Sequence, residues 1–352
     1  MPRLPCFEDD VPNSGAEPTS VPSAATNANR TPSGSYRQNW PAYNAAQVNE
    51  KAKFQLLLRE LCNGVEEPAQ TFGRPRLPFA DMIFAAAFKV YSTLPMRRFM
   101  CDLNEAYLKG YITRLPKYGS VFHYLEMEAL TPILYQLIEE SSLPLSPIER
   151  IFAADASGMG TQRHMSWLHA KYTNPHIVEK TKWIKIHVMC GVKTNIVTAV
   201  KASEGTAGDS PFFEELLETT ARNFGIDEVL ADKAYSSEKN LKLVLMRAAQ
   251  PYIPFRSNAT NKNRRSGSTW RRMLAIFLYD QERFMQHYHM RSNVETTFSM
   301  MKTRFGDVLR SRTYVSQTNE ALCKVLCHNI CVLIHSIYEL GVEPEFWRTV
   351  ER

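Results

Sequence analysis

Three acids stand out by position: Asp155, Asp232 and Glu295. Asp155 ends the short apolar run RIFAADA and is followed by Ser157 and Gly158, while Asp232 ends a second run, EVLA. Glu295 falls in residues 288–302, YHMRSNVETTFSMMK. If the two runs are neighbouring strands, both aspartates project from adjacent strand ends, and a helix can supply the third carboxylate. Carboxylates that converge repel one another strongly unless cations sit among them. Hard divalent ions prefer oxygen ligands, and Mg²⁺ binds through a few carboxylates together with water and substrate phosphate. Two such ions about 3.5–4 Å apart activate a water and stabilise the departing oxygen of an in-line displacement. The chemistry such a set could do is phosphodiester cleavage.

The element that must present Glu295 is a helix. Tyr288, Arg291, Glu295 and Lys302 stand at i, i+3, i+7 and i+14, which at about 100° per residue brings them within roughly 60° of one another. Val294, Phe298, Met301 and Phe305 form a second, apolar stripe on a neighbouring face. The helix therefore buries one side and carries a Tyr–Arg–Glu–Lys row along its edge. Gly306 stops it, with Lys302 and Arg304 placed in the last turn. Taken alone, Arg291 and Glu295 are an i,i+4 pair of the kind worth about 0.3–0.5 kcal/mol on a solvated helix.

The aspartates need strands. Residues 150–156, 183–192, 195–202, 228–231 and 252–255 read as β, the second and third forming a hairpin across Lys193-Thr194. Between them AGDSPFFEELLETTARNFG reads as a helix, with Asp209 or Ser210 as its cap, Pro211 in the first turn and Glu214 and Glu215 favouring the dipole. Another helix is expected over about 237–248. Three strands, helix, strand, helix, strand, helix describes an α/β domain, a mixed sheet with helices packed on it.

The N-terminal part differs. Residues 1–36 are rich in Pro, Ser, Asn, Thr and Ala and bury too little to offset ordering entropy, so they are expected to be disordered. Residues 44–142 read as helices, among them 48–62, 79–91, 96–107, 119–126 and 130–140. Two short helices within 97–126 are open to two readings. One is a helix-turn-helix with Arg97, Arg98, Arg114, Lys117 and His123 as polar contacts to DNA, and the other is a plain helical bundle.

Composition excludes some classes. The chain has 352 residues, with 44% hydrophobic and 22% charged, which is ordinary for a globular protein of more than one domain. No apolar run is expected to cross a membrane, and MPRLPCFEDD has no signal core. Seven cysteines at irregular spacing read as reduced thiols of a cytoplasmic protein. Cys323, Cys327 and Cys331 share a helix face near His328 and His335, and are read as core rather than zinc ligands. His164, His169, His176 and His187 share no metal-site spacing. The formal net charge is +6. Residues 256–272 hold six basic side chains and no acid, a composition suited to a phosphate backbone. Trp270 within that stretch could stack on an unpaired base or anchor the loop to the core.

FAADASG, VLADKAY and the Y-x2-R-x3-E-x6-K spacing resemble the three signature blocks of the DDE transposases of prokaryotic insertion sequences, in the group marked by a tyrosine–arginine–glutamate–lysine signature. EGTAGDSPFFEELLE also resembles the segment between that family's first two acids. The resemblance covers about residues 150–310. It implies an RNase H-like mixed sheet with flanking helices, preceded by an all-α region, and two divalent cations, Mg²⁺ or Mn²⁺, held by Asp155, Asp232 and Glu295. Water would cut at the transposon end, and the freed 3′-hydroxyl would then attack target DNA. Tyr288, Arg291 and Lys302 match positions that hold the DNA end. The family often carries an insertion before the glutamate helix, and the basic stretch occupies that place. Arg256, Lys262, Arg264, Arg265, Trp270, Arg271 and Arg272 are its candidate DNA contacts.

The organisation expected from this is a disordered segment over 1–36, a helical DNA-binding region over 37–148, a catalytic domain over 149–315 with its basic loop at 256–272, and a C-terminal helix over 316–352. The partners implied are double-stranded DNA, both terminal inverted repeats and target, and a second copy when DNA is bound. A nucleoid-associated cytoplasmic location follows. Two alternatives remain open: an RNase H-like nuclease that never joins strands, and a catalytically silent DNA-binding regulator.

Overall fold

The computed structural model describes residues 39–69, 73, 75–161, 183–256, 259 and 267–347. The expectation of disorder over 1–36 lies outside them, as do His164, His169 and His176. Five strands form one sheet in the order β3-β2-β1-β4-β5. They are β1 Ile151–Gly160, β2 Trp183–Gly191, β3 Val197–Glu204, β4 Glu228–Ala231 and β5 Gln250–Tyr252. β1 pairs antiparallel with β2, and β2 with β3, whereas β4 lies parallel to both β1 and β5. The sheet is mixed, as the order of elements requires.

Helices cover both faces. Among the described residues, five precede the sheet: α1 Trp40–Asn63, α2 Phe79–Ser92, α3 Met96–Leu108, α4 Tyr118–Leu125 and α5 Leu130–Ser142. Six follow β3: α6 Phe213–Asn223, α7 Glu238–Leu245, α8 Ser268–Tyr279, α9 Gln281–His289, α10 Ser292–Phe305 and α11 Tyr314–Leu340. One sheet face, carrying Ala153, Ile186, Val188 and Leu230, packs in a single apolar cluster with α1, α2, α5, α10 and α11. The other, carrying Ala154, Met189, Val229 and Ala231, packs against α6, α7, α8 and α9. The period-2 alternation of strand side chains separates the two sets. The N-terminal helices and the C-terminal helix thus share their core with the sheet.

Several elements differ from the sequence reading. The first helix begins at Trp40 instead of near Val48, because Asn39 accepts from the Ala42 amide (3.3 Å) and Pro41 fits the first turn. β1 does not stop at Asp155. It runs on through ASGMG to Gly160, paired with β2 along its whole length. The Asp209 carboxylate is not a helix cap. It turns to the sheet, with its Oδ1 2.5 Å from Lys185 Nζ and 3.4 Å from His187 Nδ1. The helix carrying Tyr288 and Glu295 is two helices, broken at Met290–Arg291. Trp270, Arg271 and Arg272 lie on α8 rather than in a loop.

α11 is long and apolar enough, by length and composition, to cross a membrane, contrary to the expectation that no segment is; most of it is buried inside the fold. Its polar side chains tie the rest together. Asn329 Nδ2 donates to Val197 O (2.7 Å), Ser141 Oγ (3.0 Å) and Ile138 O (3.3 Å), and its Oδ1 accepts from the Val197 amide at 2.9 Å. Asn319 likewise donates to Leu125 O and Met127 O and meets the Thr131 hydroxyl at 2.7 Å. Cys323, Cys327 and Cys331 are buried free thiols, and burial pushes each one up.

Two predictions follow from this packing. Asn329→Ala leaves the Val197 amide and its carbonyl partners unpaired in the core, and should cost about 2–4 kcal/mol, read from urea unfolding midpoints at constant slope. His187, stacked on Phe212, and His328, bonded to Asn195 O at 2.8 Å, are buried imidazoles. Burial holds both near 4, against 6.5 for a free imidazole. Between those values the unfolded chain binds more protons, so stability should fall as pH drops from about 6.5 to about 4, with no further loss through these two groups below that. Denaturant midpoints for wild type and His328→Gln across that range should show a shallower slope in the variant.

Candidate active site

β1 and β4 run parallel in a register that pairs Ala153 with Leu230 and Ala154 with Ala231. Asp155, within β1, and Asp232, whose extended backbone directly follows β4, are each one step beyond the last paired position. Neighbouring strands lie about 4.8 Å apart. By the period of 2, both aspartates share the face of Ala153 and Leu230, the face on which α10 packs.

α10 runs alongside the far half of β1 and is joined to it three times. At its start Arg291 Nη1 donates to Asp155 Oδ2 (2.7 Å). Further along, Lys302 Nζ donates to Ser157 Oγ at 2.7 Å. Past its end, the Gly160 amide donates to Asp307 O (3.0 Å) and the Leu309 amide to Gly160 O (2.7 Å). Gly306 has φ +81°, a backbone only glycine adopts without strain, and it turns the chain into that last contact. Lys324 of α11 donates to Gly306 O and Val308 O, closing the turn from behind. Val294, Phe298, Met301 and Phe305 are buried, the face that their spacing implies.

Arg291 is the centre of the cluster. Its second nitrogen, Nη2, donates to Glu295 Oε1 at 2.6 Å, so one guanidinium bridges Asp155 and Glu295. Its carbon lies 5.7 Å from the Tyr288 ring centroid. The break between α9 and α10 places Tyr288 over Arg291 rather than along one helix. Burial acts against the Arg291 charge, but Tyr288 and Asp155 together hold it above the ordinary guanidinium range. The Asp155 carboxyl is raised, chiefly by burial, and Asp232 adds to the rise; the Ala156 amide and Arg291 oppose it. Burial also raises the Tyr288 hydroxyl. Asp232 Oδ1 accepts from the Lys233 amide at 2.6 Å.

The donor set is all oxygen, which suits a hard divalent cation better than zinc. As placed, no three acids, imidazoles or thiols among the described residues stand close enough to share an ion. The positive charge between Asp155 and Glu295 is Arg291.

Of the other candidates, Arg256 is exposed at the end of β5, and Arg271 and Arg272 are exposed on α8. Lys262, Arg264 and Arg265 lie outside the described residues. Trp270 packs edge-on against Phe255, ring centroids 5.1 Å apart, with its amide on Glu238 (2.6 Å). Arg97, Arg98, Arg114, Lys117 and His123 are all exposed around α3 and α4, and Arg97 lies over the Tyr118 ring.

Sequence reasoning missed Ser157, which could have been found, since it lies two residues past Asp155 on the same strand face. Tyr235, which with Lys233 follows the second aspartate and reads from sequence equally as a DNA contact or a packed tyrosine, is packed. Its hydroxyl is buried without a hydrogen-bond partner, in electrostatic reach of Asp209, Asp155 and Asp232, and burial pushes it well above the usual phenol range.

Asp155 within β1 and Asp232 just past β4 thus lie beside Arg291 and Glu295 at the start of α10, on a mixed sheet. Residues 146–330 match the transposase DDE domain family, and the chain belongs to that family. Over 105 residues it is 31% identical to the probable transposase for insertion sequence element ISA1214 of Archaeoglobus fulgidus, a match covering 30% of this chain and 31% of that one. The chain therefore spans about a third of that relative's length. A cryo-EM structure of piggyBac transposase in a synaptic complex with hairpin DNA aligns with 87% of this chain and 77% of its own, at TM-score 0.40 and 12% identity.

Removing the bridge should be visible without any DNA. In Arg291→Met the Asp155 carboxyl loses its cationic partner while keeping its burial and Asp232, so it should titrate at higher pH than in wild type. Carbon-13 NMR of labelled aspartate carboxyls checks this; an unchanged Asp155 titration would mean that Arg291 does not hold it.

Proposed function

We propose that this chain is a metal-dependent DNA transposase whose catalytic domain is an RNase H-like sheet and whose reacting carboxylates are Asp155, Asp232 and Glu295. The observation that carries the reading is the β1–β4 register, which brings two aspartates from distant parts of the chain to one edge of one face. Arg291 then ties Glu295 to the same place. The five-stranded mixed sheet with helices on both faces supports the RNase H-like assignment.

Asp155, Asp232 and Glu295 would hold two divalent cations, Mg²⁺ or Mn²⁺, which when bound supply an activated water and charge stabilisation at the departing oxygen. For Glu295 to join the aspartates, Arg291 must let go of it. The guanidinium is then free to pair with a phosphate oxygen, for which its fork of donors is suited. Tyr288 and Lys302 flank it on the same edge, the tyrosine able to hydrogen-bond a phosphate or stack on a base, the lysine to add fixed charge. In this reading Tyr288, Arg291, Glu295 and Lys302 are the tyrosine–arginine–glutamate–lysine signature.

The helical region over 37–148 would bind the terminal repeats. The basic stretch, with Arg256, Arg271 and Arg272, would lie along DNA. Two ends must be paired, so the working form on DNA would be at least a dimer, acting in the cytoplasm at the nucleoid.

The test is cleavage and joining of the element's own end. Asp155→Ala, Asp232→Ala and Glu295→Ala should each lower Mg²⁺-dependent cutting by at least about a thousandfold while DNA binding persists in gel shifts. Nicking that ignores end sequence and never joins strands would point to a plain nuclease. Activity unaffected by Asp232→Ala would sink the assignment.

A further inference from the structure

A cavity at the C-terminal end of α10, beside Phe305, is lined by three cations. It lies where the end of α2 meets the turn after α10 and the start of α11, with a volume of about 50 Å³. Lys89, Thr93, Arg310, Ser311, Glu320 and Lys324 give it its polar lining, and Met96 and Phe122 of α3 and α4 contribute apolar walls. Glu320 is its one acidic lining residue, and that carboxylate is already engaged by the Arg310 and Ser311 amides at 2.8–3.0 Å. Arg310 Nη1 donates to Thr93 O (2.6 Å). Lys324 points two of its protons at Gly306 O and Val308 O.

Lys89 has no such partner. It is half-buried in the last turn of α2, with no hydrogen bond or ion pair to any of the described residues. Burial lowers its ammonium to about 8, and the neighbouring charges of Arg310 and Lys324 lower it further than Glu320 restores. Lys324 is likewise held near 8, by burial first, with Glu320 and the nearby Asp307 opposing. Its place near a helix C-terminus favours a cation at Lys89, but that does not explain why two more were gathered round it. Thr93, which ends α2, is a β-branched residue at φ +55°, a strained conformation that the Arg310 hydrogen bond helps to hold. A partly enclosed recess with excess positive charge and an unpaired ammonium lacks an anion.

We propose that this recess binds a backbone phosphate of DNA, with Lys89 and Arg310 as its charged contacts. The inference rests on the DNA-transposase reading and extends it to a second grip. The recess adjoins the exposed Arg97 and Arg98 on α3, and Lys324 links it through the Gly306 turn to the helix carrying Glu295. A phosphate held here would be sensed by the element that positions the catalytic acid.

Lys89→Met should bind a mixed-sequence duplex about tenfold more weakly, with its log–log salt dependence shallower by about one. Lys89→Arg should keep the wild-type slope. Melting temperature of Lys89→Met should be unchanged or higher, because an unpaired ammonium is removed, and this excludes unfolding as the cause. Peptide mapping after acylation gives a second readout: duplex DNA should protect Lys89, and inorganic phosphate at the same phosphorus concentration should protect it less. Protection by inorganic phosphate equal to or greater than that by DNA would assign the recess to a free anion and overturn the proposal. So would wild-type affinity and slope in Lys89→Met. Wild-type protein that ignores DNA altogether would overturn this proposal together with the reading beneath it, a result separable from the other two.

Discussion

A parallel ladder four residue pairs long, Ile151 to Ala154 against Glu228 to Ala231, sets everything at the candidate site. Strand side chains alternate with a period of 2, so a slip of one residue in that pairing would carry Asp232 to the opposite face of the sheet. Burial on both faces prevents the slip. Leu230 belongs to the cluster shared with α10 and α11, and Val229 and Ala231 to the cluster shared with α6 and α7. Moving any of these by one position would exchange two well-packed sets. The apolar residues of β4 therefore specify where its terminal acid points, and the antiparallel pairing of β1 with β2 holds the partner acid in place.

The helix bearing Glu295 meets this edge through charge rather than through the sheet's own hydrogen bonds. A single guanidinium reaching Asp155 and Glu295 at 2.7 and 2.6 Å is a geometry that a lysine ammonium, a point charge, would not reproduce with the same directional fork. It joins the part-buried Asp155 to the exposed Glu295. It also occupies the place between the two carboxylates. The contacts farther along α10, Lys302 to Ser157 and Gly160 to the Asp307–Leu309 turn, do not involve the acids. They hold the helix to β1 independently of the Arg291 bridge.

Much of this was legible in the sequence. The β-hairpin, the alternation of later strands and helices, and the buried stripe of Val294, Phe298, Met301 and Phe305 all follow from periodicity. What was not legible has physical reasons. ASGMG reads as a turn because of its glycines, yet β2 pairs with it throughout and carries the strand five residues past Asp155. The break at Met290–Arg291 has no glycine or proline to announce it, so one helical period seemed to run through. Asp209 precedes a proline and two glutamates, a helix start by every local rule, but Lys185 and His187 on β2 draw its carboxylate to the sheet. Each miss is a tertiary partner overriding a local preference. The three acids were singled out by position alone, whereas the bridging of two of them by Arg291 could be seen only in space.

α11 shows how far the site depends on residues remote from it. By length and hydropathy it could span a bilayer, yet most of it is buried inside the fold, and several of its polar side chains are engaged with backbone groups of other segments. Asn329 satisfies the start of β3, Asn319 the turn between α4 and α5, and Glu320 the amides of Arg310 and Ser311. Lys324 takes the carbonyls of the turn that bolts α10 to β1. These are loop and strand-end groups that would otherwise be buried without partners, at a cost of about 1–3 kcal/mol apiece. A purely apolar helix could fill the same volume but would leave those loops free to move. The polar positions of α11 therefore convert a packed helix into the frame on which the Glu295 helix is held against the aspartates.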